Sequence, residues 1–156
     1  MDGFVEALVS ILQDNGDVSN SEAESMRQEF GNRSKEAFDI FLLSQGMVNK
    51  PALLNALSVL YDVPSFDVVG YFFDNELLRN FPKDFLITNS IIPIQLDQNV
   101  LTVVASEPDD STLRASIATF ANYAIELRVG LKRDIHDAIR EYYDTSPTKI
   151  KDIFED

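Results

Sequence analysis

The chain has no cysteine and a single histidine, His136. Without thiols it can build neither a disulfide scaffold nor a thiolate metal site, a composition that suits a reducing compartment. His136, on a predicted helix beside Asp134 and Asp137, has no second imidazole or sulfur with which to hold a metal. Basic residues are scarce as well: 13 Lys and Arg against 26 Asp and Glu leave a net charge of −13. Such a surface cannot neutralise the phosphates of nucleic acid or anionic lipid, so neither is expected as a partner. No apolar run approaches the roughly 18 residues of a membrane helix, and no basic segment precedes an apolar stretch at the N-terminus. The expectation is a soluble, unexported, cytoplasmic protein. None of the six glycines falls in a G-x-x-x-x-G-K-[ST] cradle, so this chain is not itself a P-loop motor. No G-x-S-x-G elbow with His and Asp partners offers a nucleophile. Asp109-Asp110 could be imagined as an acid/base pair, but between Pro108 and Ser111 they fit a helix N-cap better. No enzyme, cofactor or metal centre is expected.

What the chain does have is a unit that occurs twice, about thirty residues apart, consisting of an apolar helix, a Gly turn and a second helix. Leu12, Gly16, Val18, Ala23 and Met26 align with Leu42, Gly46, Val48, Leu53 and Ala56. A Gly closing one helix, and Ser19 or Asn49 opening the next, is the capping chemistry of helical hairpins. Helices are expected over 3–14 and 21–30, then from Ser34 through Gln45 with Ala37, Ile40 and Phe41 on one face, then from Pro51 to Tyr61. Residues 1–31 carry seven acids against Arg27 alone, a charge asymmetry that suits a basic protein partner or a merely solvated face.

From Asp62 the pattern changes. Val63 to Val69 reads as an extended crossing segment, followed by short helical pieces at 75–80 and 82–90. Residues 91–97 and 100–106 are apolar runs flanking a turn at Asp97-Gln98-Asn99, a β-hairpin signature. A helix is expected from Thr112 to Asn122 with Leu113, Ile117 and Phe120 inward. A third strand then follows over 124–131, and a last amphipathic helix from Arg133 to Tyr143 turns Ile135, Ala138, Ile139 and Tyr142 to the core. The aromatic group Phe72, Phe73, Phe81 and Phe85 is expected to be core, with an exposed docking surface as the alternative. Lys132-Arg133 opens the last helix against its dipole, which either marks an interaction role or is offset by Asp134 and Asp137. The predicted fold is α+β: tandem helical hairpins over 1–61, a small three-stranded sheet packed with helices over 62–143, and a tail or linker over 144–156 with Ile150, Ile153 and Phe154 able to dock.

These pieces, in this order, resemble the N-terminal domain of the assembly ATPases of type II secretion and type IV pilus systems. The residues that carry the resemblance are Leu42-Leu43, Gly46, Val48 and Leu53-x-x-Ala56-Leu57, then Asp62-Val63-Pro64-Ser65-Phe66-Asp67-Val68. Phe81-Pro82, Pro93, Glu107-Pro108-Asp109-Asp110 and Ile135-x-x-x-Ile139-x-x-Tyr142-Tyr143 follow in the family's order. The resemblance implies a non-catalytic protein-interaction domain that docks the motor to the cytoplasmic domain of an inner-membrane platform protein. Such a domain is cytoplasmic and reaches the membrane only through its partner. Partner contact is implied for the α+β part, and Arg128, Arg133, His136 and Arg140 are the residues expected to make it.

Some members of the family bind cyclic di-GMP through an Arg-Leu-Gly at the start of each repeat and a Gln at its end. Here Ala7 and Ala37 replace the arginines, Val9 and Asp39 the glycines, and Phe30 and Leu60 the glutamines. Ala supplies no bidentate phosphate contact and Asp39 repels a dianion, so the nucleotide is not expected as a ligand. A diverged nucleotide sensor and a free-standing adaptor or signalling module of the same fold are the alternative functions.

Overall fold

The computed structural model of the chain describes residues 4–30, 42–44, 46, 48–120 and 122–144. The helix expected to start at Ser34, with Ala37, Ile40 and Phe41, and the tail with Ile150, Ile153 and Phe154 lie outside the described residues, apart from a helical turn at 42–44. The chain divides into two compact units, Met1–Ser65 and Phe66–Asp156.

The first unit is helical. Helix α1 (Phe4–Asp14) buries Phe4, Val5, Leu8, Val9 and Leu12, one apolar stripe at helical spacing that packs on α2 (Asn20–Phe30) and α3 (Lys50–Tyr61). The turn after α1 is a Schellman cap. Gly16 sits at φ +81°, its amide bonds to the Gln13 carbonyl at 3.1 Å, and the Asp17 amide bonds to Leu12 at 2.9 Å. Gly46 repeats the device at φ +68°, with its amide 3.2 Å from the Leu43 carbonyl. Ser19 and Glu22 then form a reciprocal capping box, the Ser19 amide donating to Glu22 at 2.8 Å and the Glu22 amide to Ser19 Oγ at 3.2 Å. Asn49 caps α3 by accepting from the Ala52 amide at 2.9 Å, worth about 1 kcal/mol. Arg27 clamps α2 to α1 through an ion pair with Glu6 at 2.8 Å and by donating to Ser10 and Gln13.

The second unit holds a three-stranded sheet in the order β1-β2-β3, with β1 at Ile91–Asp97, β2 at Val100–Ala105 and β3 at Ala124–Val129. β1 and β2 are antiparallel, joined by Gln98 and Asn99, both with positive φ (51° and 66°), the geometry of a type I′ hairpin. β2 and β3 are parallel, a pairing that requires a crossover connection, here the segment that carries helix α6 (Leu113–Ala118). β2, in the middle, is buried at every position from Leu101 to Ala105, so it reads as an apolar run interrupted only by the buried Thr102. Helices α4 (Asn75–Leu78) and α5 (Lys83–Asn89) lead into β1. Helix α7 (Lys132–Asp144) closes the unit by packing on β1, β2 and α5.

Two local expectations are corrected. The helix after β2 stops at Ala118 rather than Asn122, because β3 pairs from Ala124 beside Val100 at the start of β2 and the chain needs the residues between to reach it. Phe120 therefore lies beyond the helix, 42% exposed, with its ring 4.5 Å from that of Phe85, and is not a core residue. Asp110 caps the turn ahead of α6 and not the helix itself. Its carboxylate accepts from the Thr112 amide at 2.9 Å and from Thr112 Oγ1 at 2.8 Å, which holds its pKa below the ordinary value.

Candidate functional site

The predicted aromatic group separates. Phe81 is buried, Phe73 and Phe85 are half-buried, and Phe72 is 97% exposed. Val69 and Tyr71 are exposed beside it, so half of the six exposed large apolar residues described fall within four positions of one loop. Isolated apolar residues on a surface need no explanation, but this concentration does.

The loop is held in shape by its own chemistry. Asp67 accepts from the Val69 amide at 3.0 Å, and the Tyr71 amide bonds back to the Val68 carbonyl at 3.2 Å. Gly70 at φ +79° occupies the third position of that turn, where a type II turn requires positive φ. The Tyr71 ring meets Phe66 and Phe73 edge-on at 5.2 and 5.0 Å, and its hydroxyl donates to the Ile94 carbonyl at 2.9 Å. Ile94 lies where the β1–β2 register shifts, and such a bulge commonly turns a backbone group away from the ladder. The exposed Phe72 is therefore presented from a braced loop.

Opposite the loop stands α7. Its last turn is tied to α4: Tyr142 donates to the Asn75 carbonyl at 3.2 Å, and Tyr143 donates to Leu78 at 3.2 Å and to Phe81. Burial, with Tyr142 adding to it, pushes the Tyr143 pKa up to about 12. Between loop and helix lies an open groove of 660 Å³, with Phe72, Val69 and Gly70 on the loop side and Asp134, Asp137 and Glu141 on the helix side. Ala138 and Tyr142, expected inward, are half-buried and line the groove while packing against the core.

The four expected contact residues are not gathered in one place. Residues 133, 136 and 140 follow i, i+3, i+7 spacing and share one stripe of α7. Arg133 and Arg140 are exposed, and Arg140 lies 3.7 Å from Asp137. His136 is half-buried, and its Nε2 shares a 2.9 Å hydrogen bond with Ser90 Oγ. Arg128 is on β3, half-buried, with its guanidinium carbon 5.8 Å from the Phe66 ring centre. At about 100° per residue, Asp134, Asp137 and Glu141 form a second stripe beside the basic one. Charge on α7 is thus sorted, with acids toward the groove and bases away from it. Among the described residues, no three His, Cys, Asp or Glu side chains come together to hold a metal, and no helix is long and apolar enough to cross a membrane.

The family model described as the MshEN domain matches residues 61–149, a stretch that includes the loop, the sheet and α7. The chain belongs to the MshEN family. Over a longer stretch, this MshEN chain is similar to the type IV pilus assembly ATPase PilB of Myxococcus xanthus, at 23% identity over 134 residues, 86% of this chain and 23% of PilB. It therefore spans about a quarter of that relative's length. The structure of MshE with cdg superposes with a TM-score of 0.63 at 21% identity, covering 87% of this chain and 98% of that one. The N-terminal domain of XpsE superposes with a TM-score of 0.57 at 18% identity, covering 86% and 92%. At these identities the two structures establish a common α+β fold. The resemblance to the N-terminal domains of secretion and pilus assembly ATPases is borne out by the family match.

Proposed function

We propose that this MshEN domain is a non-catalytic docking module of a secretion or pilus assembly ATPase, holding the motor against the cytoplasmic domain of its inner-membrane platform protein. It works in the cytoplasm and meets the membrane only through that partner. The observation that carries this reading is the braced loop presenting Phe72, 97% exposed, next to an α7 whose charges are sorted by face. Exposed aromatic side chains on rigid supports are the usual anchors of protein interfaces. Arg133 and Arg140 on the exposed stripe of α7 are the outer contacts, and His136 and Arg128, both half-buried, are further contacts of the same partner.

The test is co-purification of the full chain with the platform protein's cytoplasmic domain. Wild-type protein is expected to retain it, and the pair Arg133→Glu and Arg140→Glu to weaken it. Retention unchanged by the charge reversals would overturn these contact residues, and no retention by wild type would overturn the docking function.

The structural likeness to MshE with cdg gives a second reading, cyclic di-GMP sensing by the helical repeats. Against it, Ala7 stands where the sensing pattern has Arg, and Val9 is fully buried in the core of the first unit. Titration calorimetry with cyclic di-GMP is expected to give no saturable heat, and saturable binding would restore the sensor.

A further inference from the structure

The groove beside Phe72 has a chemistry of its own, and it specifies a class of occupant. Its walls are aromatic and aliphatic on the loop side and carboxylate on the helix side. The loop segment 66–77 adds Asp67, Asp74 and Glu76 and contains no Lys or Arg. Nucleic acid and anionic lipid are repelled by such a surface. A volume of 660 Å³ lies within the range of roughly 300–1,000 Å³ found for pockets that take drug-sized ligands, so the open groove has room for a short peptide segment.

We propose that the groove between the Val68–Phe73 loop and α7 seats a basic, apolar-anchored segment of a partner protein. An aliphatic or aromatic side chain packs on Phe72 and Val69, while neighbouring Lys or Arg side chains meet Asp134, Asp137 and Glu141. The inference rests on the docking function above and supplies the chemistry of the segment that enters the groove, the groups that meet Arg133 and Arg140 on the neighbouring stripe being acidic ones elsewhere on the same partner. Guanidinium groups gain twice at such a site, from the carboxylates and from the ring of the exposed Phe72. The bracing matters to affinity, since a loop already held by Tyr71 and Gly70 loses little freedom when the segment arrives.

The decisive experiment measures fluorescence anisotropy of a labelled amphipathic peptide of Leu, Lys and Arg with the full chain at physiological salt. A twin peptide with every Lys and Arg replaced by Glu is run beside it. The protein series is wild type, Phe72→Ala, the pair Asp137→Lys and Glu141→Lys, and the pair Glu107→Lys and Asp109→Lys. The last pair is exposed, lies outside the groove and changes net charge equally. Phe72→Ala and the groove pair are each expected to raise Kd about tenfold, a shift typical of losing an anchor contact. The distant pair is expected to stay within about twofold once general attraction is screened by salt. Equal weakening by the distant pair, unchanged binding by Phe72→Ala, or equal binding of the Glu twin would each overturn the proposal. Platform-domain retention on the same proteins separates the two readings. If wild type retains the platform domain but the peptide ignores Phe72, the groove assignment falls and docking stands. If the peptide depends on Phe72 and the platform domain is not retained, the reverse holds.

Discussion

Replacing Tyr71 by Phe removes one atom and tests whether the loop is braced as described. The hydroxyl donates to the Ile94 carbonyl at 2.9 Å, while the ring keeps its edge contacts with Phe66 and Phe73. A neutral hydrogen bond of this kind contributes about 0.5–1.5 kcal/mol net, and leaving the half-shielded carbonyl without this donor puts the change at the upper end. For a cooperative unit of this size, about 1 kcal/mol corresponds to a fall in Tm of roughly 4–8 °C. Tyr71→Ala also removes the two ring pairs, each worth about 0.5–1.5 kcal/mol, and is expected to cost roughly 2–4 kcal/mol in all. The assays are thermal melts by circular dichroism and hydrogen exchange at the Val69 and Tyr71 amides, which bond to Asp67 and Val68. The Tyr71→Phe protein should melt earlier than wild type and lose protection at those amides, with Tyr71→Ala further along the same course. If Tyr71→Phe melts with wild type and both amides keep their protection, the hydroxyl is not a brace and the argument for a pre-formed groove fails with it.

Gly130→Ala tests the packing of the sheet's end: a Cβ there would lie 2.6 Å from Val104 Cγ1 and 3.2 Å from the Phe66 carbonyl. Overpacking of this kind is expected to cost about 1–3 kcal/mol in urea unfolding, and an unchanged midpoint would refute the close approach. Tyr143 tests the junction of α7 with α4. Its pKa is raised from 10.0 to about 12, so its neutral form is the one the fold favours, and this contribution is complete below pH 10 and is lost as pH climbs toward 12. Stability should fall across that window in wild type and fall less in Tyr143→Phe, whose baseline is lower because the hydroxyl proton shared between the Leu78 and Phe81 carbonyls is gone. Parallel pH profiles for the two proteins would refute the assignment.

Much of the fold is legible in the sequence because its signals are local. Gly16, Ser19, Gly46, Asn49 and Pro51 fix turns and caps through their own backbone and side-chain chemistry, and they end and start helices where that chemistry requires. The turn signal at Asp97-Gln98-Asn99, which the structure narrows to Gln98 and Asn99, and the alternation from Ala124 locate the strands. The end of α6 is not legible, since what stops that helix is the parallel pairing of β3 with β2, a long-range contact with no mark in the residues 119–122. Phe120 illustrates the result: its spacing from Leu113 and Ile117 is that of a core residue only if the helix continues.

The candidate site is legible in composition and hidden in arrangement. Phe72 and Phe73 are adjacent and chemically identical, yet one is 97% exposed and the other half-buried, because an irregular loop has no period from which burial can be read. The deciding elements are the turn at Gly70 and the tether from Tyr71 to a bulged strand twenty-three residues later, and only the folded chain brings these together. On α7 the period is readable, and there the sequence does carry the answer: 134, 137 and 141 repeat at helical spacing just as 133, 136 and 140 do. The basic stripe stands out in so acidic a chain, but with twice as many acids as bases the informative carboxylates are those that line apolar surface, and only the fold shows which ones do. A partner segment that carries positive charge beside an apolar anchor satisfies both walls of the groove at once, since the aromatic loop supplies contact area and the carboxylates supply selection by sign. Peptides of the opposite sign are then excluded by the same three side chains that admit the basic one.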